Sequence, residues 1–308
     1  MNRYYSFNDY AREKFGRKIY KIALSGGMTC PNRDGKTGYK GCIFCSGGSG
    51  DFAEPLVTTA EEQINGAIAR VEKKAGENAG YMAYYQSYTN TYAPIEKMKS
   101  LFLPVVENDK ISALSVATRP DCLPEDVIGF LAELNAKKPV FVELGLQTIH
   151  EKTAEYIRRG YPLAVFDDAL KRLKSAGLNV VVHVILGLPG ESTADMLQTV
   201  DYVGKSGADG IKLQLLHVLK GTDLCADYDK KLFKTLEMND YIDILGEAIN
   251  ILPEHIVIHR LTGDAPKKLL VAPLWSADKK AVLAAIYRAF EQKNIIQGSK
   301  YSCKTKEN

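Results

Sequence analysis

Short, nearly unbroken apolar blocks alternate along this chain with longer stretches in which apolar residues recur every three or four positions. The blocks, at 19–24, 80–86, 111–117, 140–146, 179–186 and 210–216, have the length of strands and are too apolar to face water. The spaced stretches between them read as helices. One starts at Thr58-Thr59-Ala60-Glu61-Glu62, a capping-box pattern, and continues through Ile64, Ala67, Ile68 and Val71. Others are predicted at 94–102, 124–135, 150–159 with 162–176, and 193–205, with a leading helix at 6–15 capped by Ser6 or Asn8. Six strand-then-helix units predict a parallel sheet with helices outside, and right-handed crossovers curl it. The expected fold is therefore α/β, a partial (β/α)6 TIM-like barrel, with its working groups on the loops after the strand C-termini. After Gly221 the rhythm changes to a helix at 235–251, a short strand at 256–258 and a helix at 278–292. The domain reading is residues 1–220 as the core barrel with its leader, and 221–308 as a C-terminal α-rich extension packed on it.

Composition changes this picture only at the margins. With 308 residues and 45% apolar content the chain has enough material for an ordinary packed core. No apolar run approaches the roughly 20 residues that span a bilayer, and Met-Asn-Arg-Tyr-Tyr-Ser has no apolar targeting core. The expected location is cytoplasmic, with no membrane partner. The net charge of +3 is uneven: residues 260–308 carry +6 and the rest carries −3. A basic end points weakly to a polyanion such as nucleic acid, and equally to a solvated helical face.

The candidate chemistry begins with cysteine. Of six cysteines, Cys30, Cys42 and Cys45 cluster in a Gly-rich loop directly after the first predicted strand. Three thiolates hold three corners of a [4Fe–4S] cube and leave the fourth iron open to a small molecule. A structural zinc site is normally closed by four ligands, whereas no histidine precedes His150, and Cys122, Cys225 and Cys303 are distant in sequence. An odd cluster in a reducing compartment also argues against disulfides. From the residues alone, a zinc-stabilised, non-catalytic RNA-binding protein and a TIM-barrel hydrolase remain as alternatives.

The pattern Cys30-x11-Cys42-x2-Cys45, with Phe44 before the last cysteine, resembles the radical S-adenosylmethionine (SAM) superfamily. Later strand ends are similar to its branch containing oxygen-independent coproporphyrinogen dehydrogenase and the elongator catalytic subunit. In Gln86-Ser87-Tyr88-Thr89-Asn90-Thr91 the two threonines match that branch, and Ser87 and Tyr88 replace its glycines. Ser115-Val116-Ala117-Thr118-Arg119-Pro120 matches its third strand, with Ala117 in place of a glutamate. Glu143, in Val142-Glu143-Leu144-Gly145-Leu146-Gln147, is then expected to meet a ribose hydroxyl or the SAM ammonium, or else a salt bridge to Arg119 or Arg159. Arg159, followed by Gly160, is placed by the resemblance to fork onto the SAM carboxylate, and Arg158 is read as a surface charge. Gly187 and Gly190 would admit an adenine ring closely. Together with Leu261-Thr262-Gly263-Asp264-Ala265-Pro266 and Ala272-Pro273-Leu274-Trp275, the chain looks closest to the YhcC/YtqA group.

The resemblance implies a barrel of the radical SAM type, with a [4Fe–4S] cluster on Cys30, Cys42 and Cys45 and SAM as second cofactor. Its cofactor contacts would be Phe44, Gln86, Tyr88, Thr89, Asn90, Thr118, Glu143, Gln147, Arg159 and Leu188, with His183 and His217 as catalytic residues. A member of the group is linked to modification of the transfer-RNA wobble uridine. The implied reaction is conversion of 5-carboxymethylaminomethyl(-2-thio)uridine to 5-aminomethyl(-2-thio)uridine, with tRNA as partner and flavodoxin or ferredoxin as electron donor. Tyr88, Tyr92, His217 and Trp275 are candidates to stack on a flipped base. A small metabolite or a protein substrate is the alternative within the same chemistry.

Overall fold

The computed structural model describes residues 3–46, 59–76 and 78–302. The leader forms α1, Phe7–Phe15, because Ser6 closes a capping box with Asp9 and Gly16, at φ 66°, stops it. Then follow β1 (Ile19–Leu24), α2 (Ala60–Ala75), β2 (Gly80–Tyr85), α3 (Ile95–Glu107), β3 (Ile111–Thr118) and α4 (Glu125–Lys137). The alternation continues through β4 (Val140–Gln147), α5 (Glu151–Tyr156), α6 (Leu163–Ser175), β5 (Asn179–Leu186), α7 (Thr193–Lys205) and β6 (Gly210–Leu215). The last third holds β7 (Val218–Leu219), α8 (Asp223–Asp229), α9 (Met238–Ile251), β8 (Val257–Arg260), β9 (Leu270–Ala272) and α10 (Lys279–Gln292).

Most boundaries lie within a few residues of those expected, and the differences have physical causes. In α2 the capping box is made by Thr59 with Glu62; Thr58 lies outside the described residues. Helix α3 runs five residues past its expected end, through Pro104, because Met98, Phe102, Val105 and Val106 form one buried stripe. The helix expected at 150–159 stops at Tyr156, since Arg158 and Gly160 both take left-handed backbone. The short elements β7, α8 and β9 were not anticipated. The two strands, of two and three residues, carry no period to read, and α8 is only about two turns long.

All seven strands of the main sheet are parallel, in the order β1-β2-β3-β4-β5-β6-β8. Its outer face packs on the helices through one large apolar cluster that includes Leu24, Leu114, Leu144, Val182 and Leu213. The sheet is curled into a half-barrel, as a contact across it requires: Lys21 on β1 lies 3.1 Å from Glu143 on β4 and 3.3 Å from His259 on β8. Strand β8, expected within the extension, adds to β6 as the seventh strand. The N-terminal end of the barrel is closed by α1, whose Phe7 and Ala11 pack on Ile19, Met82, Ala113, Phe141, Val181 and Val257. Strands β7 and β9 form a separate antiparallel ribbon near the opposite end. Among the described residues no helix is long and apolar enough to cross a membrane.

Candidate active site at the open end of the half-barrel

The loop after β1 folds back on itself through backbone bonds from Arg33 to Cys30 (2.8 Å), Gly41 to Asn32 (2.7 Å) and Cys45 to Cys42 (3.0 Å). It is tied to the rest by the Ile43 amide on the Ile157 carbonyl (3.1 Å) and by Asn32 Nδ2 on the Arg158 carbonyl (2.6 Å). Gly160 is required here: a Cβ would stand 2.8 Å from Asn32 Oδ1. Cys30, Cys42 and Cys45 are free thiols, and all three line one cavity of about 330 Å³. Burial, then the neighbouring Cys45, pushes the Cys42 thiol up to about 11 despite Arg119 and Asn32. A bound cationic metal offsets that penalty on the thiolates. Among the described residues no trio of His, Cys, Asp or Glu is gathered tightly enough to share a single ion. Three thiols facing one cavity suit a cube in which each meets its own iron.

Around the thiols the cavity is lined by Phe44, Gln86, Tyr88, Thr89, Thr118, Glu143, Gln147, Arg159, His183 and His217. Strand ends deliver them, as parallel sheets do. Tyr88 at φ 62° and Gln147 at φ 69° hold left-handed backbone, which disfavours a side chain by roughly 1–2 kcal/mol. Tyr88 stands where the resembling families place glycine, and the Arg33 guanidinium stacks on its ring at 5.5 Å. Strain of this kind collects where a ligand is held. Gln147 Oε1 and His217 Nε2 are buried and without a hydrogen-bond partner. Leaving such atoms unmet costs about 1–3 kcal/mol each, and a polar ligand offsets it.

Other expected residues sit differently. Asn90 is 1% exposed and does not line the cavity; its amide locks the turn by donating to the carbonyls of Tyr85, Ser87 and Ala117. Leu188 is buried in an apolar cluster with Ile43 and Ile157, also away from the cavity lining. Arg159 reaches the cavity, but its guanidinium donates to the carbonyls of Tyr161 (2.9 Å), Leu146 (3.2 Å) and Thr148 (2.5 Å) and to Glu151 (3.2 Å). It braces the end of β4. Arg158 pairs with Asp223 at 2.5 Å. Tyr92 lines a different groove, and Trp275 donates to the Leu236 carbonyl at 3.0 Å. Cys122 is buried and its thiol is pushed by burial up to about 12; Cys303 lies outside the described residues.

Glu143 meets neither Arg119 nor Arg159, because the curl of the sheet brings other groups to it first. Arg119 pairs with Asp121 at 2.7 Å instead. Glu143, 1% exposed, accepts from Lys21 Nζ (3.1 Å), Ser115 Oγ (2.8 Å) and Lys212 Nζ, and bonds His183 Nε2 (2.7 Å). Burial works to raise its carboxyl, yet Lys21 and Lys212 outweigh burial and hold it well below the usual range. Burial, then Lys212, pulls His183 down to about 4, and burial does the same to His217. Both rings are neutral near pH 7. Lys21 and Lys212 were missed in the sequence, although a lysine inside Ile19–Leu24 and another inside Gly210–Leu215 were the available signal.

The profile of the Radical SAM superfamily matches residues 30–203, and that of the Radical SAM C-terminal domain matches residues 208–292. The chain is 41% identical over 297 residues to YtqA of Bacillus subtilis, across 96% of this chain and 92% of that protein. It is 36% identical over 288 residues to YhcC of Escherichia coli, across 93% and 91%. At 25% identity it matches a tRNA uridine(34) acetyltransferase of Methanocaldococcus jannaschii over 95% of this chain and 60% of that protein. Among solved structures, the archaeal Elp3 of Methanocaldococcus infernus superimposes with a TM-score of 0.70 at 21% identity, covering 91% of this chain and 64% of that one. This last likeness speaks for the fold alone.

Proposed function

The chain belongs to the radical SAM superfamily, and from that premise we propose that it converts 5-carboxymethylaminomethyluridine at the tRNA wobble position to 5-aminomethyluridine. It is a radical SAM enzyme whose cofactors are a [4Fe–4S] cluster and SAM. When bound, the pair supplies one-electron cleavage of SAM to methionine and a 5′-deoxyadenosyl radical, a group able to take hydrogen from unactivated carbon.

The protein's share is placement, polarity and exclusion of water. Cys30, Cys42 and Cys45 would hold three irons, with Phe44 covering them. Gln86, Tyr88, Thr89, Thr118 and Gln147 would present polar groups to SAM, with Arg159 and Asn90 fixing the strand ends that carry them. The proposed net change is a two-electron oxidation with SAM as oxidant. The N–CH2 carbon of the glycine-derived arm loses a hydrogen atom and an electron, and water hydrolyses the resulting imine. Glyoxylate leaves, and the amine stays on the base. His183, whose Nε2 faces Glu143, has Nδ1 left to accept the proton of that water. His217 Nε2 is available to the base.

One observation carries the enzymatic reading: three free thiols and two partnerless buried polar atoms face a single cavity at the barrel mouth. For the substrate, the support is a relative named for tRNA uridine(34) that aligns over 95% of this chain, and the +6 charge of residues 260–308. A flavodoxin or ferredoxin is the proposed electron donor. Anaerobically reconstituted protein, given dithionite, SAM and tRNA carrying the carboxymethylaminomethyl group, is expected to form 5′-deoxyadenosine and the 5-aminomethyl nucleoside, read by mass. Formation of 5′-deoxyadenosine with unchanged tRNA would move the substrate to a small metabolite or a protein.

A further inference from the structure

The interior of the half-barrel carries more positive than negative charge. Lys21 and Lys212 share one carboxylate, Glu143. Among the described residues Arg260 has only Asp264, at 3.6 Å, and that carboxylate is held closer, at 2.6 Å, by Lys279. Three basic side chains, Lys21, Lys212 and Arg260, thus meet two carboxylates there, one of them shared with the exposed Lys279. The nearby histidines add no charge, since burial keeps both His183 and His259 neutral, and burial likewise lowers Lys21 and, well below the usual lysine range, Lys212. Contacts of Lys21 with the Phe7 ring (4.8 Å) and of Lys212 with the Tyr84 ring (4.4 Å) offset part of the surplus. Basic groups drawn out of water with too few carboxylates to share are unfavourable, so this corner suits an anion that arrives from outside.

There is room for one. A cavity of about 470 Å³ is lined by Lys21, His183, Lys212 and Arg260, and it also touches Phe44 and Cys45. The side chains of Lys21 and Arg260 are 22% and 30% exposed, so they are the reachable donors, with Lys212 at 3% behind them. We propose that this corner is a carboxylate subsite, in which Lys21 and Arg260, backed by Lys212, grip the acid group of an N-alkylglycine substrate and turn its N–CH2 carbon toward the cysteine loop. A carboxylate there accepts several charge-assisted hydrogen bonds and balances the surplus. A carboxamide of the same shape balances nothing. The identity of the substrate rests on the wobble-uridine reading; the preference for a carboxylate does not.

The test uses reconstituted protein and two kinds of probe. One is a pair of anticodon stem-loop RNAs whose wobble uridine ends in the carboxymethylaminomethyl carboxylate or in its carboxamide. The other is N-ethylglycine and its amide, followed by thermal shift. Wild-type protein is expected to prefer each carboxylate roughly ten- to hundredfold, the range for a hydrogen bond to a charged group. Lys21→Gln and Arg260→Gln are each expected to cut that preference at least fivefold while SAM affinity holds. Arg260→Gln leaves the Glu143 pairs intact, so it reports even if Lys21→Gln folds poorly. Equal binding of the two RNAs, with N-ethylglycine still preferred by wild type over both variants, would sink the tRNA reading and leave the subsite standing. The subsite itself is overturned by the absence of a carboxylate preference for either probe, or by a preference that survives both substitutions. Loss of SAM affinity in the variants overturns it as well, since the cations would then belong to SAM's own carboxylate.

Discussion

His183 and His217 titrate far from where a free imidazole does, and the cause is burial, which pulls each down to about 4. An unfolded chain binds a proton on each near pH 6.5, whereas the native chain refuses it until about pH 4. Between those values the unfolded state binds more protons, so stability falls as pH falls. Glu143, held below its ordinary value of 4.5, withdraws its contribution only at lower pH. The cluster-free protein is therefore expected to lose melting temperature steadily from pH 6.5 to pH 4.5, and His217→Asn is expected to flatten the slope. The full effect is roughly 3 kcal/mol for each ring. A melting temperature that stays level over that interval would contradict the assignment of neutral, buried rings. At this scale the cysteines were legible because their spacing lies within one loop. Lys21, Lys212 and Arg260 were not recognised, because a lone cation in an apolar strand reveals its partner only after the strands have been curled together.

At the scale of elements, the cysteine loop is held by the turn between α5 and α6. Gly160, at φ 82°, lies against Asn32, which in turn bonds that turn and sits 3.6 Å from Cys42 Sγ. Gly177, at φ 73°, is just as left-handed but has nothing within 4 Å of a Cβ. Gly160→Ala and Gly177→Ala should each lose about 1–2 kcal/mol for the backbone alone. Only Gly160→Ala is expected to displace Asn32 and lower bound iron and sulfide, by about half or more after reconstitution. Equal iron content in the two variants would show that Asn32 does not position the loop. Helix α3 carries the complementary lesson. Its expected end near Phe102 followed from local signals, and the buried Val105 and Val106 carried the helix onward through Pro104.

For the whole molecule, the sheet is a half-barrel closed at one end by α1 and open at the other toward the thiols. Phe7 is the main piece of that closure, packed edge-on to Phe141 at 6.5 Å and against His259 at 4.8 Å. Phe7→Ala is expected to lower stability by about 3–4 kcal/mol in urea unfolding, with an unchanged denaturant slope. A loss below about 1 kcal/mol would mean that α1 is an ornament rather than a floor. The sequence alone determined the alternation of strand and helix and the grouping of Cys30, Cys42 and Cys45. Both are local, written in hydrophobic period and in short spacing. Tertiary structure alone decided that β8 completes the sheet, that Arg159 braces β4, and that Glu143 meets Lys21 and Lys212, which lie 122 and 69 residues away in the chain. Curvature makes those meetings. It arises along the whole sheet, from helices that each pack on their own few strands, and no single stretch of sequence holds it.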